Sequence, residues 1–191
     1  APEPLMSMLG YGRESICLHR DVNVVRIPDG TPDTLPRGHI VTLVQSLGGN
    51  YTVLDETGHM VRIAGEDADA LGKEPPIHTN LASGTDPETV EKNVWEVLRT
   101  IYDPEIPVNI VELGLVYHCG VKPRETGGHD VHVIMTLTAP GCGMGPVLQY
   151  DAEAAVKSLP GVHNVQVEVV FDPPWSRDRM SEVAQLQLGM L

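Results

Sequence analysis

Basic residues are scarce in this chain of 191: 13 Lys and Arg stand against 26 Asp and Glu, for a formal net charge of −13. A chain this acidic repels nucleic acid and anionic membrane surfaces, and neither is expected as a partner. Aromatics are also few, with one Phe, two Trp and five Tyr, so the core falls to Val, Leu, Ile, Met and Ala. No apolar run approaches the roughly 20 residues of a membrane span, and no basic start leads into the apolar core of a signal peptide. Three cysteines, Cys17, Cys119 and Cys142, make no disulfide framework. Their odd, sparse count fits a reducing compartment, so a cytoplasmic location is expected. What abounds is turn material, 19 Gly and 16 Pro, which predicts many short elements. At 41% hydrophobic residues the composition is that of a folded chain, long enough for one domain or two small ones.

Residues 1–12 read as a flexible tail, 13–72 as a small all-β domain, 73–86 as a linker and 87–191 as an α+β domain. In the first domain, runs at 22–27, 39–47, 51–54 and 59–64 are rich in β-formers. They are separated by Pro28-Asp29-Gly30, Gly48-Gly49-Asn50 and Asp55-Glu56-Thr57-Gly58. Such tight turns predict a meander or small barrel. Cys17, His19, His39 and His59 are scattered there without metal-ligand spacing and read as structural. Acids Glu66, Asp67 and Asp69, then Pro75-Pro76 and Ser83-Gly84, mark the boundary. Charge divides as −5 before Thr85 and −8 from it onward, so neither half is a basic module.

In the second domain Asp86 caps a helix with Pro87 at its first position, and Val90, Val94, Val97, Leu98 and Ile101 form its apolar stripe. Strands follow at 115–121, 131–138 and 165–171, with Leu115, Tyr117, Cys119 and Val121 sharing one face of the first. Helices are predicted at 146–159 and 177–188. The order is α-β-β-α-β-α. A hairpin and a right-handed β-α-β crossover then give a three-stranded mixed sheet with helices on one face.

The sharpest chemistry is in Thr136-Leu-Thr138-Ala-Pro-Gly141-Cys142-Gly143-Met-Gly-Pro146, between a strand end and a helix start. Helix-terminal N–H groups and the positive dipole end favour a thiolate, and flanking glycines let a ligand approach; the alternative is a buried, inert Cys in a tight turn. Cys119, internal to a strand, reads as core. Asp103, Glu105 and Glu112 lie in a proline-stiffened stretch and either cap turns or face the Cys142 loop. His118 and His132 stand on the polar faces of the hairpin. In-register pairing would set them opposite each other, as a metal-binding pair or as a solvated face. Asp172-Pro-Pro-Trp175-Ser176 is a stiff turn whose Trp175 either packs on the core or contacts a partner.

Three stretches in this order, 103–117 (DPEIPVNIVELGLVY), 135–145 (MTLTAPGCGMG) and 169–180 (VVFDPPWSRDRM), resemble the Fe–S cluster assembly domain shared by bacterial SufT, PaaD and the eukaryotic cytosolic Fe–S targeting factors. The likeness spans residues 85–191. Residues 36–53 and 67–72 look like the extension on longer SufT proteins of the SUF system. One departure is Gly143, where family members often carry Pro after the cysteine, and it predicts a more flexible loop. The resemblance implies a role in maturing Fe–S proteins, with Cys142 as the functional thiol and Asp103, Glu105, Thr136 and Thr138 lining its site. Gly141, Gly143 and Glu112 complete the candidate lining. It also implies Fe–S assembly machinery and client apo-proteins as partners.

Cluster iron is usually held by about four thiolates, and this chain offers one good candidate. No stably bound cluster is therefore expected. Cys142 would hold iron or a cluster transiently, shared with a second copy, a client or a small thiol. The leading expectation is a non-enzymatic carrier. The alternatives are a thiol- or metal-dependent enzyme using Cys142 with Asp103 or Glu105, and a pure client-recruiting module.

Overall fold

The computed structural model describes residues 13–47, 49–75, 80–103 and 106–190. The tail expected over 1–12 and the candidate Glu105 lie outside them. Two compact units emerge. One comprises the chain up to Ile27 together with Thr31–Pro76, the other Pro28–Gly30 and the chain from Ile77 onward. No helix among the described residues is long and apolar enough to cross a membrane.

The first unit is an all-antiparallel sheet of six strands: β1 (Glu14–Cys17), β2 (Val22–Arg26), β3 (Pro32–Leu35), β4 (Ile40–Leu47), β5 (Asn50–Leu54) and β6 (Met60–Ile63). Their order is β1-β4-β5-β6-β2-β3. The meander β4-β5-β6 is the predicted one, and β1 and β3 add an edge on each side. Between β5 and β6 the Asp55 carboxylate accepts from the Thr57 N–H and hydroxyl and from the His59 N–H, at 2.9, 2.6 and 2.9 Å. That local net makes the turn. Val22, Val24, Val41, Val53, Val61 and Ile63 form the core with Ala68, Ala70 and Leu71 of a 3-10 segment at Gly65–Leu71. Arg20 ties that segment down through Asp67 (2.8 Å) and Asp69 (2.6 Å).

The second unit has the predicted order: α1 (Pro87–Leu98), β7 (Val116–Pro123), β8 (His129–Met135), α2 (Gly145–Lys157), β9 (Val162–Val169) and α3 (Glu182–Gln187). The Asp86 side chain accepts from the Thr89 N–H at 3.1 Å, and Pro87 opens α1. Val90, Val94, Val97 and Leu98 face the core. Asn93, buried on the same helix, uses its carbonyl and amide to hold Ala82 N–H (2.8 Å) and Ala82 C=O (2.9 Å), which pins the approach to the helix. β8 lies centrally, antiparallel to β7 and parallel to β9. Val131, Val133 and Met135 alternate toward the core with Leu148, Ala152 and Val156 of α2.

Three expectations change. A bulge separates Val116 and His118, so the register runs Val116↔Met135 and then His118↔Ile134. The extra residue takes Tyr117 out of the core face, which keeps Leu115 and Cys119. The same shift sets His132 opposite Gly120, not opposite His118. The last predicted helix is broken: a 3-10 turn at Arg177–Arg179 precedes α3, and Met180 between them is extended (φ −65°, ψ 140°). Met180 is buried in the core, and the Ser181 hydroxyl starts a new helix by accepting from the Ala184 N–H at 3.2 Å.

Candidate functional site: the loop at the end of the central strand

The carboxyl end of β8 is where the second unit gathers its irregular backbone. Thr136 N–H donates to Leu115 C=O at 2.8 Å, and Val170 N–H donates to Met135 C=O at 2.8 Å. The stretch entering β7 and the stretch leaving β9 thus flank the first residue of the β8–α2 loop. They are also tied to each other. Trp175 Nε1–H donates to Leu113 C=O at 2.7 Å, and the Tyr117 hydroxyl donates to Pro173 C=O at 2.8 Å. The Arg179 guanidinium lies 4.8 Å from the Tyr117 ring centroid. In a sheet with parallel strands, this end, outside the strand carboxyl termini and before a helix start, is where ligands bind.

Cys142 sits in this loop, half-buried at the rim of the core. Its carbonyl accepts from Gly145 N–H at 3.1 Å, which forms the turn that opens α2. Pro146 in the first turn has no N–H to give. The N–H groups of Cys142, Gly143, Met144 and Val147 have no acceptor among the described residues, so the helix start presents free donors. Gly141 takes φ +77° and nothing lies within 4 Å of where its Cβ would be, so a ligand has open access from that side. Gly143 is half-buried.

Thr136 is fully buried, and its hydroxyl is without a hydrogen-bond partner, the one such buried side-chain atom among the described residues. An unpartnered buried polar group costs about 1–3 kcal/mol. Thr136→Val keeps the shape and removes the hydroxyl, so it should raise the melting temperature by about 2–12 °C, at about 2–4 °C per kcal/mol in a chain of this size. Calorimetry measures this, and a fall would mean that the hydroxyl has a partner after all. Thr138 is half-buried in the same loop.

The other candidates have structural engagements. Asp103 is buried, and its Oδ1 accepts from Ile106 N–H at 2.9 Å, closing the turn after α1. Glu112 accepts from the Ser181 hydroxyl, its carbonyl accepts from Ser181 N–H at 2.9 Å, and Arg99 lies 3.6 Å from its carboxylate. It clamps α3 to the stretch entering β7. Trp175 packs on the core edge through its bond to Leu113. Reading the sequence missed Ser181, Arg179 and Tyr117 as the residues that hold this end together. A Ser before Glu182 was the one local signal, as a helix cap. No three His, Cys, Asp or Glu side chains group as a metal centre among the described residues.

The three cysteines differ in reactivity. Burial pushes the Cys119 thiol up to about 12, with the Glu91 charge adding to the effect. Iodoacetamide at about pH 8 should therefore modify Cys17, which is exposed, and Cys142, and leave Cys119 until the chain is denatured. Intact mass should show two adducts on the native protein and three after unfolding. A third adduct on the native fold would contradict the core placement of Cys119.

Fold and site define an α+β domain that presents one loop thiol where its central strand meets a helix. Residues 91–169 match the family model described as iron–sulfur cluster assembly protein. An Fe–S protein maturation auxiliary factor from Porphyromonas gingivalis is 45% identical over 103 residues, covering 53% of this chain and 92% of that protein. The Fe–S protein maturation auxiliary factor YitW from Bacillus subtilis is 40% identical over 103 residues, covering 54% and 97%. A crystal structure of a domain of unknown function from Bacillus anthracis shares 36% identity, with a TM-score of 0.48, over 55% of this chain and 96% of that one. The chain belongs to the iron–sulfur cluster assembly protein family. The family model ends before the 172–176 turn, which the structure nonetheless ties to Leu113 and Tyr117.

Proposed function

We propose that the chain is a non-enzymatic accessory factor in iron–sulfur cluster assembly, holding iron or a cluster in transit at Cys142. The accessory role follows from the family and from relatives named as maturation auxiliary factors. The transit role rests on one observation. The stretches entering β7, leaving β8 and leaving β9 are hydrogen-bonded together at one end of the sheet, and the loop that continues from β8 carries the half-buried Cys142 thiol and a helix start with free N–H donors. A thiolate is the ligand iron and clusters prefer, and N–H groups aimed at it stabilise its charge. Thr136, Thr138, Gly141 and Gly143 line the site, with the Thr136 hydroxyl as an available donor. The remaining ligands come from outside the monomer: a second copy, a client apo-protein or a small thiol. An incomplete ligand set lets the cargo leave, which suits a carrier between the assembly machinery and its clients.

The test is cellular. Strains carrying Cys142→Ala as their only copy should show reduced activity across several Fe–S enzymes, with the variant present at normal abundance. Unchanged activities would remove Cys142 from the function and leave a purely client-recruiting role.

A further inference from the structure

The sheet of the second unit buries one face against α1 and α2 through Val131, Val133 and Met135. On its other face the register carries His118 and Gly120 of β7, His132 and Ile134 of β8, and Gln166 and Glu168 of β9. His118 and His132 sit diagonally on adjacent strands. Diagonal neighbours are about 7–8 Å apart at the backbone, within reach of two imidazoles leaning together.

Both rings are placed in ways their exposure alone does not require. His132 Nε2 lies 3.1 Å from Glu168 Oε2, across to β9. A carboxylate accepts, so Nε2 carries the proton in that bond and Nδ1 of the neutral ring keeps its lone pair. The His118 ring lies over Gly120, whose absent Cβ would sit 3.1 Å from Nε2. Gly120 is the residue directly opposite His132. The glycine therefore opens the space through which His118 leans toward His132. His118 has no hydrogen-bond partner among the described residues. Metal-ligating histidines commonly hold a carboxylate on the far nitrogen in this way, and the second, unpartnered histidine stands diagonal to His132 on the same face.

We propose that His118 and His132 form a two-histidine site for a divalent late first-row metal ion, with Glu168 orienting His132 and Gly120 admitting the His118 ring. Imidazole nitrogens suit Zn, Cu, Fe and Ni. With two protein ligands, water completes the coordination and the ion exchanges readily. This site is independent of the Cys142 loop, and neither reading depends on the other.

Equilibrium dialysis with Zn2+ tests it, on the full chain carrying Cys17→Ser and Cys142→Ala so that thiols do not compete. One equivalent should bind at neutral pH and be lost in His118→Ala and in His132→Ala. Glu168→Gln should weaken binding by about 10–100-fold, the usual effect of removing an orienting partner. Gly120→Ala should weaken it as well by displacing the His118 ring. All four positions lie on the face away from the helices, so the variants should fold, which circular dichroism checks. Absence of the equivalent from the parent, or its retention in the His118→Ala/His132→Ala double variant, would overturn the proposal.

Discussion

Cys142→Ala should abolish the iron that stays bound through desalting after anaerobic reconstitution, where a readily exchanging ion is lost, while leaving the fold intact. The thiol makes no hydrogen bond to the described residues, and the side chain lies half-buried at the core rim. Its replacement by Ala removes little packing, within about 1 kcal/mol. The chemical loss is large by comparison. Protein-bound iron, assayed after reconstitution with Fe2+, sulfide and a small thiol followed by desalting, should fall to background. Cys17→Ser serves as the control, an exposed thiol of the first unit, and should retain wild-type loading. Equal iron in wild type and Cys142→Ala would sink the transit role. Thr136→Val offers a graded companion: if its hydroxyl supports the bound cargo, the variant should be more stable and load less.

The largest effect on stability is expected from Gly114→Ala. Gly114 takes φ +75°, between the fully buried Leu113 and Leu115. A Cβ there would collide with the backbone carbonyl oxygen of Arg179 and lie 2.8 Å from its carbon. The left-handed conformation alone costs an L-residue about 1–2 kcal/mol. Backbone cannot swing aside as a side chain does, so the segment at Arg177–Arg179 has to shift. That motion strains the Trp175–Leu113 and Ser181–Glu112 bonds. A total near 3 kcal/mol, or a melting temperature lower by about 6–12 °C, should appear in calorimetry. The near-ultraviolet circular dichroism of Trp175 should change with it. A shift of under about 2 °C would mean that Arg179 does not pack on Gly114 as described.

Much of the second unit could be read locally. Asp86-Pro87 and the stripe from Val90 to Leu98 carry α1 in neighbouring residues, because a cap and a period of 3.6 are short-range properties. The Gly- and Pro-rich loop around Cys142 stands out for the same reason. Strand ends were less legible. β8 stops at Met135 although alternation continues to Thr138: the last backbone bond to the segment before β7 is made by the Thr136 N–H, to Leu115 C=O, and among the described residues no ladder bond is made beyond it. The broken last helix was hidden too: residues 177–188 are compatible with one helix until Met180 is drawn into the core and Ser181 binds Glu112.

Composition determined that the core would be aliphatic, and the pattern of caps, periods and turns determined the α-β-β-α-β-α order and the loop thiol. Tertiary structure alone decided the bulge at Tyr117, the diagonal placing of His118 and His132, and the meeting of the stretches entering β7, leaving β8 and leaving β9 at one sheet end. Register and convergence depend on which distant backbone groups pair. A local pattern specifies that a strand forms, but the partner chosen across the sheet decides which of its residues face one another.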